Sequence, residues 1–308
     1  MGVGCFVLCT CQKQPSKQPD KTRVVDQSYQ RLPKSSMSPI LDFKKKAFPD
    51  TKEGRLAQKG EQIIAQTGVY LNQQGQYNNL SCTHCHLDKG TKAYAAPFIG
   101  LSNLFPMYRA REDKMGSLQE RINGCLERSL NGKPIALDSP EMKAMVAYIN
   151  YLSPMENKRR IEGQGFVSLQ IPKRSALPEK GKQVYQHYCV MCHQSDGEGL
   201  KEPGTEQYLY PPLWGPDSFN DGAGMHRVLM AARFIKGNMP LGVTYDSPQL
   251  TDEEAYDVAA YINSFPRPEK ANKEKDYPDL TKKPIDTPYG PYADRIPQSR
   301  HQFGPFDF

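Results

Sequence analysis

The sequence holds no apolar run long enough to cross a bilayer. Its opening GVGCFVLCTC is apolar but far short of the roughly 20 residues a transmembrane helix needs, and with 38% hydrophobic residues a polytopic membrane protein is excluded. No Lys or Arg precedes that run, so it lacks the basic start of a full signal peptide. A sign bias is also missing from most of the chain: the net charge is +6, yet residues 51–266 carry 23 Lys/Arg and 23 Asp/Glu. The excess sits mainly in residues 1–50, with nine basic against four acidic side chains, which argues against a nucleic-acid groove on the core. The middle of the chain also lacks the alternation of apolar and polar residues that marks strands.

What the middle has instead is helical periodicity, and it has it twice. Residues 53–67 (EGRLAQKGEQIIAQT) place Leu56, Ile63 and Ile64 on one stripe and stop before Gly68. Ser139-Pro140 opens EMKAMVAYINYL with a capping serine and an N1 proline, giving an apolar face of Met142, Met145, Tyr148, Ile149 and Leu152. Residues 177–188 and 223–235 form a second amphipathic set, and Thr251-Asp-Glu-Glu254 is a capping box ahead of AYDVAAYINSF. Each half runs helix, CxxCH, long loop with a short helix, then a helix ending in AYIN, with a boundary near residues 160–176. The expected organisation is therefore all-α. A domain at 51–165 and a second at 166–266 stand in tandem, flanked by extended segments at 1–50 and 267–308. The first segment reads as a truncated export or lipoprotein signal, with Cys11 as a lipid-bearing residue in one reading, followed by a tether or strap. The tail carries seven prolines in 42 residues, which excludes helix and leaves its Tyr, Ile and Phe side chains for an extended wrap over a domain surface.

Four of the eight cysteines form two matching arrangements 107 residues apart, Cys82-Thr-His-Cys85-His86 and Cys189-Val-Met-Cys192-His193. Two thiols one turn apart capture the vinyl groups of a haem while the following histidine coordinates iron. Duplication within helical domains of about 100 residues favours haem over a redox pair or half a zinc site. His86 and His193 are thus the expected proximal ligands of two covalently bound haems c; His84, inside the first motif, is the wrong histidine for that role. For the second distal position the candidate is Met239 in FIKGNMP, with Met225, Met230 and Lys236 as alternatives.

The first half has no equivalent NMP. Met107 and Met115 are available, but the corresponding loop holds Cys125 in LQERINGCLERSLNG, 39 residues after His86. Three readings of Cys125 stay open: a thiolate on iron that is also a sulfur nucleophile, a buried inert thiol, or a disulfide to Cys5, Cys9 or Cys11. Arg109, Arg111, Arg121 and Arg128 lie close by in sequence, and arginines both bind anions and stabilise thiolates.

SCTHCH, RINGCLERSLNG and the KGNMP that follows CVMCH together resemble the dihaem c-type thiosulfate dehydrogenase family over approximately residues 51–266. The resemblance implies two class I cytochrome c-like domains, the first with a His/Cys-ligated active-site haem. It implies oxidation of two thiosulfates to tetrathionate, reversible in some members. The second haem then passes electrons to an acceptor cytochrome c or similar redox protein in the periplasm or at the extracytoplasmic face of the membrane. Carried over, the axial cysteine is Cys125, the substrate arginines are Arg111 and Arg121, and the pocket hydroxyl is Ser129. Some members place a lysine before the distal methionine as an exchangeable ligand; this chain has Asn238 there, which favours steady His193/Met239 ligation. Rival readings are a dihaem electron carrier, a dihaem peroxidase, and a Cys-ligated cytochrome that attaches thiosulfate to a carrier protein.

Overall fold

The computed structural model describes Met1 and residues 40–41, 43–72, 75–154 and 160–307. Cys5, Cys9 and Cys11, with the lipid-anchor and tether readings of the first segment, lie outside the described residues. The first half carries α1 (Lys52–Ala65), α2 (Thr67–Leu71), the short α3 (Leu87–Gly90), α4 (Leu118–Arg128) and α5 (Pro140–Tyr151). The second carries α6 (Pro178–Tyr188), α7 (Val190–His193), α8 (Val228–Asn238) and α9 (Asp252–Asn263), and α10 (Gln298–Phe303) lies in the tail. Two small antiparallel hairpins interrupt the helices: β1 (Met107–Arg109) with β2 (Lys114–Gly116), and β3 (Leu200–Lys201) with β4 (Tyr208–Tyr210). Among the described residues, no helix is long and apolar enough to cross a membrane.

The repeat read from sequence becomes a repeated crossing. In the first half α1 packs on α5, and in the second α6 packs on α9. A glycine sits at each contact: a Cβ on Gly60 would lie 1.9 Å from the Ala144 carbonyl oxygen, and one on Gly181 would lie 2.0 Å from that of Asp257. The expected face of α5 is buried throughout, from Met142 to Leu152, and Ser139 accepts from the Met142 N–H at 3.2 Å. Thr251 and Glu254 form the capping box of α9. The stripe of α1 differs from expectation: Leu56 is exposed, and the inward line is Ala57, Gly60, Ile63 and Ile64. The small Ala and Gly let the helix approach α5 closely, so backbone proximity rather than side-chain size selects the face. Gly68 does not end the helical run either, because α2 continues through it to Leu71.

The tail wraps both halves through buried side chains. Asp286, fully buried, accepts from Arg227 Nε at 2.8 Å and from the Leu229 N–H at 3.1 Å. The Tyr256 hydroxyl donates to the Phe303 carbonyl at 3.0 Å. Its expected lack of helix is corrected by α10: residues 298–303 contain no proline, and Pro297 stands just before the first turn, where a missing N–H costs nothing.

Alanine at position 181 tests the crossing. Helix propensity alone favours Ala over Gly by about 1 kcal/mol. Overpacking against the Asp257 carbonyl is expected to reverse the sign, so that Gly181→Ala costs about 1–3 kcal/mol in urea denaturation of the holoprotein. A variant as stable as wild type would show that α6 and α9 do not meet at this glycine.

Candidate active site

The first CxxCH turn is held from below by Thr67. This buried residue accepts from the Cys82 N–H at 3.1 Å, its own N–H donates to Ser81 Oγ at 3.1 Å, and its hydroxyl lies 3.3 Å from Cys82 Sγ. The backbone then brings the His86 N–H to the Cys82 carbonyl at 2.9 Å. His86 Nδ1 is 2.6 Å from the Ala96 carbonyl oxygen. A carbonyl only accepts, so Nδ1 carries the proton and Nε2 is left with its lone pair exposed to a Lewis acid. The ring leans on Phe98 at a centroid distance of 4.5 Å.

Facing this histidine is α4, and RINGC is legible on it residue by residue. Ser117 and Glu120 form its capping box. Arg121 and Cys125, one turn apart, share a face, and Arg121 Nη1 lies 2.6 Å from Cys125 Sγ. Ile122 packs against the core. Asn123 pins the following loop by accepting from the Ile135 N–H at 3.0 Å and donating to its carbonyl at 2.9 Å. Gly124 leaves room for Arg109, whose Nη2 would lie 3.1 Å from a Cβ there. Burial pushes the Cys125 thiol up, but the charge and hydrogen bond of Arg121, together with His86 beside the sulfur, pull it down to about 6. Burial raises the Cys82 thiol, to about 11, and the Cys85 thiol, to about 12, and the charge of the Cys125 sulfur adds to both shifts. Cys82, Cys85, His86 and Cys125 therefore converge on one space, and the five described cysteines are all free thiols.

The other expected residues are placed differently. Arg111 and Arg128 grip a tail carboxylate between them: Arg111 Nη1 reaches Asp276 Oδ2 at 2.7 Å and Arg128 Nη2 reaches Oδ1 at 2.7 Å. Arg111 Nη1 also bonds the Tyr289 hydroxyl and the Gly222 carbonyl, each at 2.9 Å. Arg109 pairs with Glu112 at 2.6 Å. Ser129 closes α4, its N–H donating to the Cys125 carbonyl at 2.8 Å, and its own carbonyl accepts from Asn78 at 3.2 Å.

In the second half, His193 Nδ1 is 2.8 Å from the Pro211 carbonyl, which again frees Nε2. Cys189 and Met239 pack against the same core cluster. Met239 follows α8 directly, its N–H held by the Ile235 carbonyl at 2.9 Å. The alternative ligand Lys236 is turned away: its Nζ lies 2.5 Å from the Leu250 carbonyl and 3.1 Å from Asp252. The Asn238 amide donates across the domain boundary to the Tyr94 carbonyl and to Phe234 in its own helix, each at 3.1 Å.

Sequence reasoning missed Thr67, Asn123 and Asp276. Asn123 had a signal, being inside the RINGC string; Thr67 and Asp276 act through contacts far apart in sequence and had none.

Residues 68–156 match the SoxA/TsdA cytochrome c domain, and residues 178–266 match cytochrome c. The molecule is thus a tandem cytochrome c protein, and cytochrome c domains imply covalently bound haem c, which both donor sets fit. The chain is 44% identical over 236 residues to the thiosulfate dehydrogenase of Psychrobacter arcticus, covering 75% of this chain and 69% of that one. It is 41% identical over 226 residues to that of Allochromatium vinosum, covering 72% and 82%. The solved thiosulfate dehydrogenase TsdBA of Marichromatium purpuratum, as isolated, superposes with a TM-score of 0.68 at 34% identity, over 73% of this chain and 49% of that one. This chain therefore spans about half the length of that solved protein. It belongs to the c-type thiosulfate dehydrogenase family.

Asp276 gives this site a test. Burial would raise its carboxyl, but Arg111, Arg128 and the Tyr289 hydroxyl hold it below the ordinary 3.8. Its stabilisation is complete above the unfolded carboxylate range and lost as pH falls through the lower native value. Asp276→Asn is expected to cost about 3–5 kcal/mol at neutral pH by leaving buried arginines unpaired, and to speed proteolytic cleavage within residues 267–297. Wild type and variant should converge only in the acid range where Asp276 itself is protonated.

Proposed function

We propose that this chain is a dihaem thiosulfate dehydrogenase that joins two thiosulfates as tetrathionate and passes two electrons, one at a time, to an external redox protein in the periplasm. The observation that carries the reading is the convergence of Arg121, Cys125 and His86 opposite the first pair of attachment cysteines. Cys82, Cys85, His86 and Cys125 would hold one haem, and Cys189, Cys192, His193 and Met239 would hold the other. When bound, these groups supply one-electron redox chemistry.

The substrate chemistry falls to side chains. Arg121 keeps Cys125 anionic and offers a fixed positive charge to a dianion approaching the same sulfur. Cys125 forms a disulfide with the sulfane sulfur of the first thiosulfate, a bond whose formation from two anions releases two electrons to the acceptor. The sulfane sulfur of the second thiosulfate attacks that same sulfur of the adduct. Tetrathionate forms and the Cys125 thiolate leaves, so the exchange step consumes no further oxidant. Ser129, one turn beyond Cys125, is assigned a hydrogen bond to a sulfonate oxygen. Arg111 is assigned long-range neutralisation of substrate charge from its place beside Asp276. For the return of electrons, the second motif offers the open edge: Met191, between Cys189 and Cys192, is 89% exposed, whereas His84 in the first motif is covered by the second half. That asymmetry supports the second site as the one facing the acceptor.

Cys125→Met is expected to retain two covalent haems by mass and to lose tetrathionate formation by at least about 10²-fold. Unchanged turnover would sink the reading in favour of a simple electron carrier. A second variant separates charge from sulfur. Arg121→Gln removes the cation that lowers the thiol, so on acidification the spectroscopic signature of sulfur ligation should vanish at a higher pH than in wild type. The same pH in both would mean that Arg121 does not hold the thiolate.

A further inference from the structure

His84 lies between the two cysteines of the first motif, and both of its ring nitrogens are engaged. Nδ1 accepts from the Ser81 N–H at 3.0 Å, and Nε2 is 2.9 Å from the carbonyl oxygen of Tyr208, 124 residues away in the second half. A backbone N–H on one side and a carbonyl on the other fix a single neutral tautomer, with the proton on Nε2.

Tyr208 opens β4. Its ring is buried in a cluster with Leu80, Leu126 and Leu130, directly beneath the helix that carries Cys125, and its hydroxyl donates to Asp217 at 2.8 Å. The strand pairs with β3, Leu200 opposite Tyr210, and the residue after it is Pro211. The Pro211 carbonyl is the one that receives His193 Nδ1 at 2.8 Å, and the His193 carbonyl in turn accepts from the Gly199 N–H at 3.1 Å at the foot of β3. One end of a four-residue segment is therefore seated on the first attachment turn and the other on the imidazole of the second.

We propose that His84 is a positioning residue for the second site: by clasping Tyr208 it holds β4 so that the Pro211 carbonyl stays aligned with His193. The inference rests on the proposed function in taking both motifs to carry haem. A carbonyl accepting from Nδ1–H makes the imidazole more basic at Nε2 and favours the oxidised metal. Freeing β4 at its Tyr208 end lengthens or tilts that bond and favours the reduced metal. The effect of a change in the first motif is thus expected at the second.

The test uses the holoprotein, with covalent haem counted by mass and each midpoint potential resolved by titration with EPR. In His84→Ala the second site's reduction equilibrium constant should rise several-fold, where tenfold corresponds to about 59 mV for one electron, and its low-spin g-values should shift. His84→Gln, which keeps a donor and an acceptor, should return toward wild type. Asn131→Gly removes a different contact between the halves, the 3.0 Å bond to Asn220, at a position whose φ of 46° glycine adopts freely; it should leave the second site unchanged. Tyr208→Leu keeps the backbone carbonyl that His84 holds and removes only the ring and its bond to Asp217, so it should move the second site less than His84→Ala. The proposal is overturned if His84→Ala leaves the second site's potential and g-values at wild-type values, or if Tyr208→Leu or Asn131→Gly moves them equally. A chain with fewer than two covalent haems in wild type would instead overturn the functional reading.

Discussion

An anionic sulfur in a partly buried site needs a cation in contact with it, and the rest of the first domain is arranged around the Arg121–Cys125 pair. Desolvation alone drives a thiol toward its neutral form; the guanidinium at 2.6 Å reverses that. The pair requires a rigid helical turn in a fixed orientation. The capping box at Ser117 and Glu120 sets where α4 begins, Asn123 fixes the loop that follows it, and Leu126 and Leu130 anchor its inner face. Because Leu126 and Leu130 share their cluster with Tyr208, the helix that presents the sulfur is seated partly on the second half of the molecule. The site is therefore a property of both domains docked together.

Four arginines near one cysteine suggest a diffuse positive field, and the structure divides that field. Arg109 is offset by Glu112, while Arg111 and Arg128 share Asp276 from the tail. Among the described residues Arg121 has no carboxylate partner, and its charge is directed at the sulfur. Two carboxylates set against three of the four arginines reduce like-charge repulsion around α4 and leave one net positive charge on the Arg111–Arg128 pair besides that of Arg121. The tail is thereby an electrostatic part of the first domain as well as a wrap on the second, where Asp286 plays the corresponding role for Arg227.

What the sequence made legible follows from range. CxxCH, the Ser139 and Thr251 caps, the face of α5 and the doubled AYIN plan are encoded within a turn or two, so periodicity and spacing expose them. The RINGC string carried the Arg121–Cys125 pair because i, i+4 spacing is itself a distance on a helix. The fate of Arg111 was not legible: its partner Asp276 is 165 residues away, in a segment whose prolines pointed only to an extended path. Leu56 misled because a large apolar side chain reads as inward, whereas the close α1–α5 contact gives the inner face to Ala57 and Gly60. His84 read as a bystander beside the ligand His86, since its role depends on a carbonyl in the other half.

The two halves share one plan and diverge in the sulfur proposed for the distal position. In the first, the sulfur is a thiol within the helix, with an arginine one turn before it. In the second, it is the thioether of Met239 just beyond α8, where the Asn238 amide donates to the carbonyls of Tyr94 and Phe234 and Lys236 donates to that of Leu250. On the proposed ligation the consequence is directional. A thiolate lowers the potential of its haem and a thioether raises it, while the two proximal histidines have matching carbonyl partners in Ala96 and Pro211 and so contribute little to the difference. The distal residue is then the main source of the gradient, and electrons from sulfur oxidation run downhill from the enclosed domain to the one that exposes Met191. On that reading the repeat supplies two equivalent scaffolds, and a single change of charge at the distal position makes one the reaction site and the other its outlet.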